Sequence, residues 1–246
     1  IDIKANNIDI FHGLSNELPD NIHISGSKKV VTVHDLIFIK FPQLYSYINR
    51  KIYFRKSYNA CVAADKIIAT SKNTKSDIIR YFKIPENKIE VIYQSYNQAF
   101  NNRVDLQQIL SVKEKYRLPN RYILTVGSIE RRKNVLNVVK AIYFFNMDIK
   151  YVIVGKVTSY LKEVLNWAGK HKILDRIIIV NNVENDDLPS IYQAADLFVY
   201  PSIYEGFGIP ILEAFSSNIP VITGDSGSTA EIAGNAAVQV EATNSK

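Results

Sequence analysis

The chain is 246 residues long and short of most features that would take it out of the ordinary globular classes. Its single cysteine, Cys61, excludes a disulfide framework, and 4 histidines make a structural zinc cluster an unlikely design. Collagen-like and low-complexity classes need far more than 10 Gly and 8 Pro. No apolar run approaches the roughly 20 residues that span a bilayer. The opening IDIKANNIDIF carries Asp and Asn where a signal peptide needs an apolar stretch. There is no Walker A loop, no G-x-G-x-x-G after the first strand and no paired-Asp metal motif at the strand ends. These absences point to a soluble, cytoplasmic protein of a reducing compartment. The chain opens on Ile1 rather than Met and stops in a polar ATNSK, which suggests a fragment.

What is present is a core. Hydrophobic residues make up 47% and charged residues 22%, enough to fold one large domain or two small ones and too apolar for disorder. The net charge of +6 is uneven. Residues 1–100 hold 14 Lys/Arg against 9 Asp/Glu, and the excess gathers in 40–83, where only Asp65 and Asp77 oppose 10 cations. Tyr45, Tyr47, Tyr53, Phe54 and Tyr58 lie among them. Such a patch attracts anionic lipid headgroups or a phosphate-bearing substrate, or is a solvated helix surface. On a helical wheel Arg50, Lys51, Arg55 and Lys56 spread around the circle instead of sharing one face. No nucleic-acid recognition module accompanies them, so nucleic acid is not an expected partner.

The second half alternates in period. Apolar runs at 122–128, 151–156, 176–183, 196–202 and 220–225 read as buried parallel strands, separated by helices at 134–145, 161–168, 187–195 and 210–216. The first half repeats the texture, with strands at 9–14, 29–36, 65–71 and 88–95 and helices at 47–64 and 72–82. A polar stretch over 97–106 reads as a linker. The fold class is therefore α/β: two Rossmann-like, doubly wound parallel-sheet domains facing across a cleft. The divisions are 1–100, an incomplete N-terminal domain, and 101–246, a C-terminal domain lacking its last helices.

In open α/β sheets, ligands bind beyond the carboxyl ends of the strands, which selects the loops after these runs. The most informative is YPSIYEGFGIPILEAF. Glu205 ends a loop after a strand, and Glu213 lies inside the helix that follows. Gly206 and Gly208 between them let backbone N–H groups approach a ligand, and Pro210 suits the first helical turn. Exposed amides at a helix start bind anions such as diphosphate, and carboxylates beside them suit sugar hydroxyls. The second loop, GSIERRKN (127–134), delivers Arg131, Arg132 and Lys133 to a helix start. Cations oppose the helix dipole there, and a phosphate would relieve the conflict. The acidic pair in ENDDLPS sits where helix capping explains it.

Written as EGFGIPILE, preceded by ADLFVYPS and followed by IPVITGDSGSTAEIAGNAA, the segment resembles the donor-binding signature of retaining glycosyltransferases of family 4, which have the two-domain GT-B architecture. VGSIERRKN is similar to that family's G-x-x-x-x-R-K-N turn. TVHDLIFIKFPQ and DKIIATSKNTKSDI are similar to its N-terminal domain, so the resemblance covers essentially the whole chain. The subgroup it most resembles is mannosyltransferase-like and serves bacterial surface polysaccharide synthesis.

The resemblance implies transfer of a hexose from a GDP- or UDP-linked sugar to a glycan or lipid-linked acceptor, with retention and without metal or other cofactor. It implies that Glu213 holds the nucleotide ribose. Glu205, with the amides of Phe207 and Gly208 beside Gly206, would hold the donor sugar. Arg132 and Lys133 would neutralise the diphosphate, Val183 and Leu188 would flank the base, and His34 would reach the sugar. Ser128 stands where many relatives carry Arg, which leaves the diphosphate to Arg132 and Lys133, and Gln94 stands where relatives often have Asn. The positive N-terminal half adds a peripheral contact with an anionic membrane, placing the protein at the inner face of the plasma membrane. Two other readings fit the same motifs: a sugar-nucleotide epimerase of this architecture, and a non-catalytic sugar-nucleotide-binding fragment.

Overall fold

In the computed structural model, residues 8–22 and 26–244 are described, so the terminal residues behind the fragment reading fall partly outside them. The chain forms two compact units. One runs to Gln94 and includes Glu205–Phe207, and the other comprises Ser95–Tyr204 with the residues from Gly208 on.

The first unit holds a four-stranded parallel sheet of β1 (Ile10–Gly13), β2 (Lys28–Val33), β3 (Lys66–Ala69) and β4 (Ile89–Val91), in sequence order. Each crossover steps the same way, so right-handed connections place their helices on one face. These are α1 (Ile37–Lys40), α2 (Tyr47–Ala63) and α3 (Lys72–Asp77), the last extended by a wider turn over Ile78–Phe82. Ser46 and Ser71 cap α2 and α3 by accepting from the N–H of Asn49 and Thr74. Val31, Val33, Ile67, Ala69 and Ile89 pack under Ala60, Cys61, Ile78 and Phe82 as one core. The strands stop short of the expected runs. His34, Thr70, Ser71 and Gln94 are thereby left in the loops beyond their carboxyl ends.

The second unit holds six parallel strands, β5 (Tyr122–Val126), β6 (Lys150–Val154), β7 (Ile177–Val180), β8 (Leu197–Tyr200), β9 (Val221–Gly224) and β10 (Val238–Val240). Their spatial order is β10-β9-β8-β5-β6-β7, the doubly wound order whose direction reverses between β5 and β8. Period-two alternation is visible in the two cores. Tyr122, Leu124, Val152, Val154, Phe198 and Tyr200 face one side, with Ile191, Ile211 and Ala214 of α7 (Leu188–Gln193) and α8 (Ile209–Ser216). Ile123, Tyr151, Ile153 and Val199 face the other, with Val139 and Ile142 of α5 (Val135–Phe144) and Val164 of α6 (Tyr160–Lys170). Inside this core the Thr125 hydroxyl donates to the Val199 carbonyl at 2.6 Å and lies 2.8 Å from the Tyr151 hydroxyl.

Four elements were not anticipated, the first being α1, a single turn of four residues. The helix α4 (Leu106–Lys115), capped by Asp105, buries only Val112, while Leu106 and Leu110 are exposed. Its Leu106, Ile109 and Leu110 carry the i, i+3, i+4 spacing of a helix, next to the polar stretch that reads as a linker. The helix α9 (Gly227–Ala233) is seven residues long and β10 three, with all of β10 exposed, too short for periodicity to register. The expected capping by the acidic pair is not what forms. Asp187 stands at the start of α7 without a side-chain cap, because its carboxylate accepts from Lys115 and the Tyr116 hydroxyl, each at 2.8 Å.

Leu124 is fully buried between two neighbouring strands. Leu124→Ala should therefore lower unfolding free energy by about 2–5 kcal/mol in urea titration. Leu110→Ala, at an exposed site, should stay within about 0.5 kcal/mol of the parent.

Candidate functional site

At the reversal between β5 and β8, two loops leave the carboxyl ends of adjacent strands, 127–134 after β5 and 201–208 after β8. Hydrogen bonds join them: the Ile203 N–H donates to the Arg132 carbonyl at 2.8 Å, and Arg132 Nη1 donates to the Tyr204 carbonyl at 2.7 Å. Both Arg132 and Lys133 are buried, at 7% and 8% exposure. Lys133 Nζ lies 2.5 Å from the Tyr200 hydroxyl and 4.7 Å above the same ring. Arg132 also lies 3.5 Å from a Glu130 oxygen, whose partner oxygen accepts from the Ser128 hydroxyl at 2.6 Å. Burying a cation costs several kcal/mol unless acceptors surround it. Carbonyl, phenol and carboxylate oxygens supply them here. Arg131, third of the expected cations, is exposed and pairs instead with Glu163 on α6.

The helix α8 follows directly on the 201–208 loop, whose Ile203 and Tyr204 bond Arg132. Gly208 precedes it at φ 128°, a conformation that disfavours any side chain, and Pro210 lies in the first turn. No side chain caps this start, where Pro210 has no N–H and the Ile211 N–H donates to the Gly208 carbonyl at 3.0 Å. One and a half turns on, Glu213 is half-buried and accepts from the Tyr192 hydroxyl at 2.8 Å. Burial pushes its carboxyl up from the ordinary range, and the Tyr192 hydrogen bond partly opposes that. Val183, after β7, and Leu188, the first residue of α7, are half-buried and pack against the core that holds Tyr192.

The remaining expected residues belong to the first unit. The Gly206 carbonyl accepts from the Ser71 hydroxyl at 2.7 Å and the Thr74 hydroxyl at 3.1 Å, at the start of α3. A Cβ on Gly206 would stand 2.1 Å from the His34 carbonyl, so only glycine fits. The Phe207 ring packs on Tyr93, centroids 5.8 Å apart. Glu205 is buried, at 8% exposure. His34 Nε2 lies 2.8 Å from the Leu14 carbonyl, which can only accept, so this nitrogen carries the proton. Nδ1 then accepts from the Gln94 amide at 3.1 Å. Both ring nitrogens are occupied within the unit, and His34 is held as the Nε2–H tautomer.

The structure thus gathers Ser128, Arg132 and Lys133 around Glu130 and Tyr200, and it links Glu213 to Tyr192 near Val183 and Leu188. It brings His34 beside Gly206. Tyr192 and Tyr200 were not anticipated as partners. The two tyrosines read as core residues of DLPSIYQAA and DLFVYPS, and they are core residues. Only the hydroxyl tip of each faces the site. Their signal was a phenol where Phe would serve a purely apolar role. Among the described residues no three His, Cys, Asp or Glu side chains are grouped to hold a metal ion, and no helix is long and apolar enough to cross a membrane.

Residues 107–246 match the family model described as Glycosyl transferases group 1, and residues 2–99 match that of Glycosyltransferase Family 4. The chain is 32% identical over 238 residues to O-antigen chain mannosyltransferase B of Escherichia coli, covering 92% of this chain and 60% of that protein. It is 30% identical over 213 residues to O-antigen chain mannosyltransferase RfbU of Salmonella typhimurium, covering 86% and 56% respectively. The chain therefore spans well under two thirds of these relatives' length. A glycosyltransferase from Rickettsia africae superposes with a TM-score of 0.76 at 23% identity, over 99% of this chain and 65% of that one. Anabaena HepE, solved in complex with UDP and glucose, superposes at 0.74 and 19% identity, over 91% and 60%. These likenesses establish the fold as GT-B, with a Rossmann-like parallel sheet in each unit.

The raised carboxyl of Glu213 has a testable sign. A folded pKa above the unfolded one makes a contribution to stability that is present at acid pH and lost as pH rises through the folded value. Glu213→Gln lacks that loss. Urea unfolding between about pH 4 and pH 7 should show the variant gaining stability relative to the parent as pH rises. A difference that stays flat would contradict the burial of Glu213.

Proposed function

The chain belongs to the group 1 glycosyl transferases, and we propose that it moves a hexosyl group, mannosyl in the first instance, from a GDP- or UDP-linked donor to a hydroxyl of a surface polysaccharide or lipid-linked glycan. The observation that carries this reading is the pair of buried cations, Arg132 and Lys133, at the strand-order reversal. The chemical difficulty is to part an oxocarbenium-like sugar from a diphosphate that gains negative charge. Cations already fixed in place need no reorganisation as that charge develops, and each such preorganised donor contributes about 3–4 kcal/mol. With the leaving group so stabilised the reaction requires neither a strong general acid nor a metal.

In this reading Glu213 accepts from the ribose hydroxyls, and its raised carboxyl is drawn back toward the ionised form by those donors. The positive end of α8, which no side chain caps, adds to the diphosphate site. Glu205, with the Phe207 and Gly208 amides, orients the donor sugar and does not attack it. Transfer then proceeds with retention, the leaving phosphate oxygen taking the acceptor's proton on the same face. His34 meets a sugar hydroxyl by exchanging one of its two ring hydrogen bonds. The names of the two O-antigen relatives support mannose. The UDP and glucose bound to HepE support a nucleotide-sugar donor.

Thermal unfolding with a panel of GDP- and UDP-sugars tests the donor. The correct one, at 100 times its dissociation constant, should add about 2.7 kcal/mol of stability. Glu213→Ala should reduce that stabilisation, whereas Lys133→Ala should lower turnover about 100-fold or more. Unchanged behaviour of both variants would refute the site. Release of an isomerised nucleotide sugar without any acceptor would replace transfer with epimerisation.

A further inference from the structure

A hollow of about 650 Å³ opens in the second unit, well away from the loops 127–134 and 201–208. Gln193 closes α7 ahead of β8, and Ser217, Asn218 and Ile219 join α8 to β9, so the hollow lies by the amino ends of these strands. The helix α8 runs from the 201–208 loop to this place, about 12 Å of axis for its 8 residues. The facing wall is the linker and first turn of α4, from Asn101 to Ile109. Part of the lining is engaged. The Gln193 amide accepts from the Val104 N–H at 2.9 Å and donates to the Asn102 carbonyl at 2.8 Å. Asn101 Oδ1 accepts from the Tyr96 and Ser216 hydroxyls at 2.8 and 3.0 Å. The side chains of Asn102, Arg103 and Asn218 are exposed and make no hydrogen bond or ion pair among the described residues. Ser217 is the sharper case. It is 6% exposed, and its buried hydroxyl has no hydrogen-bond partner among the described residues. A hydroxyl withdrawn from water is costly until a partner meets it, and the space beside Ser217 is the hollow.

The chemistry of the lining decides what fits. No carboxylate lines the hollow, so a cationic ligand finds no counter-charge there. An anion would meet one exposed cation, Arg103, set against the negative ends of α7 and α8 and the Asp105 carboxylate that caps α4. What suits the site is a neutral molecule with hydroxyls on its edges and C–H groups on its faces. Side-chain amides donate and accept together, as neighbouring sugar hydroxyls do. Val104, Leu106 and Ile219 offer aliphatic surface to the face of a sugar ring. We infer that this hollow binds a neutral hexose glycan through Asn102, Ser217 and Asn218, at the far end of α8 from the proposed transfer site. That the glycan is one this chain extends rests on the transferase reading, whereas occupancy of the hollow does not.

Titration of the isotope-labelled 246-residue chain with mannotetraose, followed through its backbone amide resonances, tests this. Saturable shifts should gather at residues 101–109, at Gln193 and at 216–219. Asn102→Ala combined with Asn218→Gly should weaken binding about tenfold, each lost hydrogen bond being worth about two- to tenfold. Glycine keeps the left-handed backbone of position 218, at φ 57°, and both side chains are exposed, so the fold should persist. Ser217→Ala should also weaken binding, yet leave the urea midpoint of the free protein at or above the parent's, because it removes a buried group that has no partner. A lower midpoint with parental binding would assign that hydroxyl to folding and overturn the inference. So would the absence of saturable shifts, shifts confined to 127–134 and 201–208, or the same shifts on adding inorganic phosphate. No nucleotide sugar is present in the titration. A chain that failed to transfer sugar would therefore leave this result standing, and an empty hollow would leave Arg132 and Lys133 untouched.

Discussion

Two cations held out of water at one point of a parallel sheet are the constraint around which the second unit is arranged. Arg132 and Lys133 are 7% and 8% exposed, and a buried charge persists only where fixed acceptors surround it. Those acceptors come from the adjacent strand and its loop, the Tyr200 hydroxyl and the Tyr204 carbonyl. Adjacency of β5 and β8 follows in turn from the doubly wound order, which separates the two loops at the place where direction reverses. The fold thus creates the crevice, and the proposed diphosphate would meet the charge pair there.

The carboxylate Glu213 obeys the opposite logic. It sits in α8, where burial raises its proton affinity and the Tyr192 hydrogen bond lowers it. A ligand that brings hydroxyl donors would complete its shell. In the first unit a comparable completeness already exists around His34, whose ring is bound by the Leu14 carbonyl and the Gln94 amide. The Leu14 carbonyl fixes the tautomer, and the Gln94 amide donates to the nitrogen left without a proton.

Much of this was legible before any coordinates. The β-branched runs around Leu124, Val152 and Phe198 placed the strands, and the loops after them contained the glycines and cations that matter. Gly206 was legible as a close approach, although not that it would lie against the His34 carbonyl and the Ser71 hydroxyl. What was illegible has physical causes. Tyr192 and Tyr200 are core residues by pattern, and only their hydroxyl atoms face polar partners. Arg131 is indistinguishable from Arg132 in the sequence, yet the tight turn over Arg131–Lys133 sends one outward to Glu163 and the other inward. The helix α4 follows directly on the polar 97–106 stretch, which masks the short apolar spacing of Leu106, Ile109 and Leu110.

The most direct measurement compares the affinity of the parent and of Lys133→Ala for a nucleoside and for the matching nucleoside diphosphate, by titration calorimetry at fixed salt. If the buried cations receive the diphosphate, the parent prefers the diphosphate strongly, and the variant loses most of that preference while binding the nucleoside as before. A parent indifferent to the diphosphate, or a variant that keeps the full preference, would show that these charges serve only the packing of the two loops.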